Sequence, residues 1–357
     1  MIAFWDAYGM TILVPAFVKI VVILAIVMTG VAYTTLAERR VSAFMQDRFG
    51  PNRVGPFGLL QPVADGIKFF FKEDVTPREA YRPLYLLAPL ITLVPALIGF
   101  AVIPFGTSIE IEGTVHPLTI APDMNVALLY ILSLSSVGVY GILLAGWSSG
   151  NKYSLLGSMR GASQVISYEL GMGLAILSIV VATGSFNLRE IVEAQKGGDG
   201  AWAFWFCLPH FLGFVVFVVA MFAETNRLPF DLPEGETEIV AGFHTEYSGL
   251  RFAMFFMGEY AFMIMASALI TLLYLGGWNF PFVDWASFGP VWGGLLSMGW
   301  FLGKVAFLLF VFIWVRWTIP RFRYDQLMDL GWKRLFPIAV LNLLIIATWY
   351  LLKGSPS

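Results

Sequence analysis

The feature that limits this chain most is its division into eight long apolar runs. They cover residues 12–36, 84–104, 125–147, 162–183, 205–223, 252–275, 293–315 and 335–352. At 1.5 Å per residue, helices of about 18–25 residues cover the roughly 30 Å hydrocarbon core of a bilayer. The expectation is an all-α integral membrane protein, a bundle of eight transmembrane helices forming one domain over residues 1–357. Composition agrees: 58% of residues are hydrophobic and 13% charged, against about 45–50% and 25% in soluble domains. The first run has no basic segment or small-residue cleavage site before it, so it reads as a retained span.

Lysine and arginine set the orientation. Seventeen of the 22 fall in one family of loops: eight between Arg39 and Arg82, then Lys152 and Arg160, Arg227 and Arg251, and five from Arg316 to Arg334. The opposite loops hold only Arg189, Lys196 and Lys353. The positive-inside rule puts the first family in the cytoplasm and both termini on the outer side. The longest cytoplasmic loop contains LLQPVADGIKFFFKE, residues 59–73. There Leu59, Val63, Ile67 and Phe70 recur at helical spacing opposite Gln61, Asp65, Lys68 and Lys72. That pattern predicts an amphipathic helix lying on the membrane surface or roofing a cavity.

Three charged groups fall well inside runs, Glu169, Glu259 and Lys304, while Lys19 lies near enough to the outer end of the first run to snorkel. The two carboxylates lie roughly 10–12 Å in from the cytoplasmic side. A charge at such depth costs about 3 kcal/mol on insertion scales, and is kept when paired, neutral or facing a polar cavity. Two readings follow. These groups exchange protons as a relay, or Glu169 and Glu259 pair with Lys304, or with Ser167 and Tyr168, to lock the bundle. Intramembrane ionisable groups favour the relay.

The connection at 224–247 is the most acidic stretch. It carries Glu224, Asp231, Glu234, Glu236, Glu238 and Glu246 against one arginine, Arg227. Pro229 and Pro233 exclude a plain helix through it. A solvated charge run is the ordinary reading. Here Phe230, Leu232, Ile239, Val240 and Phe243 alternate with the carboxylates, which predicts a folded, partly buried loop whose acids titrate together.

Other chemistries find little support. One cysteine, Cys207, allows neither an intrachain disulfide nor a cysteine-ligated cluster within this chain. His116, His210 and His244 are far apart, and no GxGxxG, P-loop or HExxH occurs. A net charge of −2 makes nucleic acid an unsuitable partner. The expectation is that no redox cofactor is bound by this chain alone.

Four stretches carry a resemblance: AERR with DRFGPNRVGPFGLLQPVADGIK, GWSSGNKYSLLGSMRGASQVISYE, ETNRLPFDLPEGETEIVAGFHTEYSG and WTIPRFRYDQLM. In this order they resemble the H subunit of proton-pumping NADH:quinone oxidoreductase, respiratory complex I, over nearly the whole chain. The resemblance implies a subunit whose cytoplasmic loops, 37–83, 224–251 and 316–334, help form a quinone chamber. It implies that FMN and the iron–sulfur clusters sit in partner subunits. The partners implied are the antiporter-like and small membrane subunits and the peripheral-arm subunits. It assigns Glu38, Arg39, Asp65, Lys68, Arg316 and Arg321 to the chamber. The proton relay it implies runs through Glu224, Asp231, Glu234, Glu236, Glu238 and Glu246 to Glu169 and Glu259, with Lys304 as counter-charge. The location expected is a bacterial plasma membrane, in preference to an organelle inner membrane. The alternatives are a related membrane subunit of an energy-converting hydrogenase, a stand-alone cation or proton transporter, and a structural anchor.

Overall fold

The computed structural model describes residues 14–111, 114–121, 124–196, 205–280 and 283–353. Helices dominate. In chain order they are α1 (Val14–Met45), α2 (Gln61–Phe71), α3 (Arg82–Ile98), α4 (Ala127–Ser148), α5 (Lys152–Thr183) and α6 (Leu188–Ala194). Then come α7 (Phe211–Glu224), α8 (Glu236–Ile239), α9 (Gly249–Tyr274), α10 (Trp292–Thr318), α11 (Tyr324–Asp329) and α12 (Phe336–Lys353). A π-helical stretch, Leu330–Leu335, joins α11 to α12 without a break. A small antiparallel hairpin, Ile109–Ile111 with Thr114–His116, lies between α3 and α4. That hairpin is an addition to the all-α expectation, and the alternating IEI and TVH segments suit it.

Among the described residues, seven helices are long and apolar enough to cross a membrane. The eighth expected span, 205–223, contains only the 14-residue α7, which is about 21 Å long. Its shortness has a cause at each end. Residues 205–210 form turns, and the chain beyond Glu224 turns into the acidic loop while still inside the bundle. Two other boundaries move. The first helix continues through AERR to Met45, and α5 begins ten residues earlier than expected, at Lys152.

Helices α5 and α9 form the centre. From Met263 to Tyr274 nearly every residue of α9 is buried, as expected of a helix that is apolar all round. It packs on α1, α3 and α10, while α5 packs on α4, α7 and α12. Small residues permit the close crossings. A side chain at Gly141 would strike Thr92 of α3, which is how glycine lets membrane helices approach. Helix α1 lies at the edge and exposes Phe17, Val21, Val22 and Ile26.

The acidic loop folds back into the end of the bundle. Gln164 of α5, fully buried, donates to the carbonyls of Ala223 and Phe230, both at 2.7 Å. Phe230 and Leu232 are buried, as are Ile239 and Phe243, whereas Val240 is exposed. Tyr247 stacks on Tyr85 of α3 with ring centroids 4.2 Å apart. Gly242 has φ +55°, and any side chain there would meet the Pro233 carbonyl. The loop is therefore folded and partly buried, in agreement with its alternating pattern. Helix α2 roofs a cavity with Pro62, Asp65 and Phe69 and turns Val63, Ile67, Phe70 and Phe71 outward.

Candidate functional site

Two cavities lie on either side of Arg227, which contacts Glu38 in the wall of one and Glu259 in the wall of the other. The larger, about 460 Å³, lies between α1, α2, α9 and α10. Glu38, Arg39, Asp65, Phe252, Tyr260 and Arg316 are among its lining residues. Arg39 pairs with Asp65 at 2.7 Å, and Lys68 stands 3.6 Å from the same carboxylate. Glu38, near the carboxyl end of α1, is 5% exposed. Its oxygens accept from Arg227 at 2.9 and 3.1 Å, from Arg316 at 2.5 Å and from the Tyr260 hydroxyl at 2.7 Å. A carboxylate taken out of water needs such a full set of donors.

The smaller cavity, about 40 Å³, is lined by Glu224, Glu234, His244, Glu259 and Ser135, with Phe256 shared between the two. It has room for roughly two or three waters. Arg227 connects the cavities. It bonds Glu38 on one side, forms an ion pair through Nε with Glu259 on the other, and lies over the Tyr260 ring at 4.3 Å. Burial disfavours its charge, but Glu259, Tyr260 and Glu38 hold its pKa well above the ordinary guanidinium value. It is a fixed cation.

The remaining loop acids separate by environment. Asp231 pairs with Arg321 at 2.7 Å, and Arg321 also donates to Thr237 at 3.1 Å. Burial, with the charge of Glu234 behind it, outweighs Arg321 and pushes the Asp231 pKa up to about 7. Glu234 lies 3.5 Å from His244. Burial raises the Glu234 pKa, but His244, Arg227 and Arg316 together bring it below the usual value. His244 is lowered by burial and raised further than that by Glu234, for a net upward displacement. Glu238 pairs with Arg160 at 2.5 Å. Glu246 accepts from Asn151 at 2.7 Å, beside an open polar hollow away from both cavities. The side chain of Glu236 lies outside the described residues.

Inside the bundle, Glu224 ends α7 with one carboxyl oxygen shielded from solvent and without a partner among the described residues. Glu169 accepts a hydrogen bond from Ser136 of α4. The pairings that would lock the bundle are absent among the described residues. Ser167 donates to Ser163 O and Met328 Sδ, and Tyr168 donates to Leu327 O. Lys304 is not a counter-charge to any of these acids. It sits at the far end of α9, where its ammonium caps the carbonyls of Leu275, Gly277 and Asn279 at 2.6, 2.9 and 3.0 Å. That helix terminus is a partial negative charge, which explains the cation there.

The structure thus brings Glu38, Arg39, Asp65 and Arg316 to one cavity and Glu224, Glu234 and Glu259 to the other. It leaves Glu238, Glu246 and Lys304 elsewhere. Sequence reasoning passed over Arg227, His244, Tyr260, Ser135 and Ser136 as site residues. Arg227 carried a readable signal, as the one arginine among six carboxylates. Among the described residues no group of His, Cys, Asp and Glu side chains could hold a metal ion.

These features define a class: a helical membrane protein that joins an aromatic-walled chamber to buried carboxylates through a fixed arginine. The chain belongs to the NADH dehydrogenase family, whose profile matches residues 18–347. It is 47% identical to the H subunit (copy 2) of NADH-quinone oxidoreductase from Koribacter versatilis, covering 96% of this chain and 98% of that one. It is 51% identical to the H subunit (copy 1) of the same enzyme from Geobacter sulfurreducens, covering 92% of each. The counterpart from Leptospira biflexa is also 51% identical, covering 90% of each. The hydrogenase reading finds no favour among these relatives.

Proposed function

We propose that this chain is the chamber-forming membrane subunit of a proton-translocating NADH:quinone oxidoreductase. In this reading the 460 Å³ cavity takes quinone as substrate, and the chain itself binds no redox cofactor. FMN and iron–sulfur clusters belong to partner subunits. Small and antiporter-like membrane subunits and the peripheral arm complete the assembly, in a bacterial plasma membrane. The charge bias of the loops supports a cytoplasmic position for the acidic loop and an outer one for both termini.

The observation that carries the reading is the bridge Glu38–Arg227–Glu259. It joins a chamber large enough for an aromatic headgroup to a cavity that groups Glu224, Glu234 and Glu259. Negative charge arriving in the chamber attracts Arg39, Arg316 and Arg227. Any loosening of Arg227 from Glu259 favours proton uptake on the acids of the smaller cavity. Asp231, with a pKa of about 7, is suited to exchange protons near neutrality. Ser135 and Ser136 offer hydroxyls beside Glu224 and Glu169, toward the bundle interior.

The test is Glu224→Gln in the intact complex, reconstituted into liposomes. Quinone reduction and proton pumping are measured together. The reading expects pumping to fall far below wild type. Unchanged rates for both would remove Glu224 from the route.

A further inference from the structure

One face of α5 carries the acidic loop. Ser154, Gly157, Gly161, Gln164 and Tyr168 recur at steps of three and four, so they stack along one side of the helix. The Ser154 hydroxyl donates to Gly242 O at 3.2 Å. Any side chain at Gly157 would strike the Pro233 carbonyl, and any at Gly161 the Pro233 ring. The Tyr168 ring meets the Phe230 ring edge-on, with centroids 5.4 Å apart. Between these contacts Gln164 holds both ends of the turn that joins α7 to the loop. Its Nε2 donates to Ala223 O and Phe230 O, each at 2.7 Å, and lies 3.2 Å from Asn226 Oδ1.

That turn carries Glu224 and Arg227. Asn226 has φ +50°, the left-handed conformation that ends helices, and Arg227 follows it into the interior, 3% exposed. Phe230 O has no other donor among the described residues. Without Gln164 it would be buried and unpaired, and the turn would gain by shifting. Packing alone does not call for a glutamine here. Gln164 is fully buried, and its Oε1 has no partner among the described residues. A methionine fills much the same space without that unmet acceptor, but it has no N–H to give. Arg227 reaches two carboxylates at once, Glu38 in the chamber wall and Glu259 in the wall of the smaller cavity. Glu224 and Asn226 line the smaller cavity as well. A turn pinned at 223 and 230 leaves the long side chain of Arg227 as the part that responds to charge.

We propose, resting on the proton-translocating reading above, that Gln164 is a positioning residue for coupling. Its amide fixes the backbone that presents Arg227 and Glu224, so that charge in the chamber moves the guanidinium and not the turn. Without the clamp the turn follows Arg227 toward the chamber and takes Glu224 with it. Quinone reduction then proceeds without full proton transfer. None of the residues that Gln164 bonds lines the chamber, so quinone binding is left as it was.

The experiment makes Gln164→Met in the intact complex in liposomes, beside wild type and Glu224→Gln. Assembled complex, KM for quinone, quinone turnover with a protonophore present, and protons pumped per quinone reduced are measured. Gln164→Met is expected to keep the KM and the uncoupled turnover and to pump several-fold fewer protons per quinone. A wild-type ratio in assembled Gln164→Met overturns the proposal. So does a loss of assembled complex with the ratio per complex unchanged, which marks a structural clamp only. Where Gln164→Met does not assemble, Gln164→Asn is read the same way. It withdraws the amide by about 1.5 Å, one methylene, leaving both carbonyls out of hydrogen-bond reach. Failure of both variants to assemble also overturns the proposal. Wild-type complex that reduces quinone without pumping refutes the underlying reading, whereas pumping lost in Glu224→Gln but kept in Gln164→Met sinks the clamp alone.

Discussion

Removing the positive charge of Arg321 tests whether Asp231 exchanges protons during turnover. Arg321 stands 2.7 Å from Asp231, with the two side chains 19% and 8% exposed. Unit charges about 4 Å apart at an effective dielectric near 20 attract by about 4 kcal/mol. At about 1.4 kcal/mol per pH unit, that sets an upper bound of about three. Water entering the vacated space reduces this, so the expected effect is about one to two pH units. The sign is fixed. Arg321 favours the carboxylate, and its loss makes the proton harder to remove from a group that already titrates at about 7. Arg321→Gln should therefore move one limb of the pH–rate profile for coupled quinone reduction to higher pH. Asp231→Asn identifies that limb by abolishing it. Membrane potential and quinone turnover are followed in liposomes across the pH range. A limb that stays in place in an assembled Arg321→Gln complex, or moves to lower pH, would refute the reasoning.

Three further outcomes follow from the same geometry. Arg227→Met leaves Glu38 and Glu259 facing each other and should cost about 3–5 kcal/mol, seen as loss of assembled complex on native gels; normal amounts at normal melting temperature would contradict it. Gly242→Ala forces a side chain into φ +55° against the Pro233 carbonyl and should cost on the order of 1–3 kcal/mol from backbone strain alone, again read as assembly. His244→Gln removes the contact with Glu234 and should lower stability by about 1 kcal/mol. The raised His244 pKa gives stability fully present below its ordinary 6.5 and lost as pH rises through the higher folded value. The lowered Glu234 pKa gives stability present above 4.5 and lost as pH falls through the lower folded value. The wild-type advantage in melting temperature should thus be largest between pH 4.5 and 6.5, and an advantage that keeps growing as the medium turns alkaline would exclude this pairing.

Much of the architecture was legible because one physical signal, apolar length, dominates in a membrane. Seven runs became helices of spanning length for that reason. The 205–223 run became helix only from Phe211 because apolar composition does not distinguish helix from the turns at 205–210. Within the site, the resemblance singled out Glu38 and Asp65, membership of an unusually acidic loop singled out Glu224, and depth in an apolar run, which is a local property, singled out Glu259. None of these gave a guide to which charges meet. Glu38 and Arg227 are 189 residues apart, and Glu38 and Arg316 are 278 apart. Lys304 shows the same limit from the other direction. A lysine at mid-run suggests a carboxylate partner, but its ammonium is satisfied by three carbonyls that only the turn after α9 brings together.

The placement of Arg227 bears on how a chamber could be coupled to buried acids without a large movement. Its guanidinium is shared: one edge serves Glu38, which Arg316 and Tyr260 also hold, and Nε serves Glu259. Glu38 has other donors if Arg227 shifts, whereas the ion pair to Glu259 among the described residues is with Arg227 alone. A small displacement toward the chamber therefore costs Glu38 little and deprives Glu259 of its counter-charge. The penalty falls on the cavity side, where Glu224 and Glu234 line the same space as Glu259 and two or three waters can carry a proton between them. The asymmetry gives the bridge a direction. On the proposed reading, charge in the chamber is felt as proton affinity in the smaller cavity; the loop supplying Arg227 is held to α5 by Gln164 and to α3 by the stacked Tyr85 and Tyr247, so the proposal requires one side chain to move and not the fold.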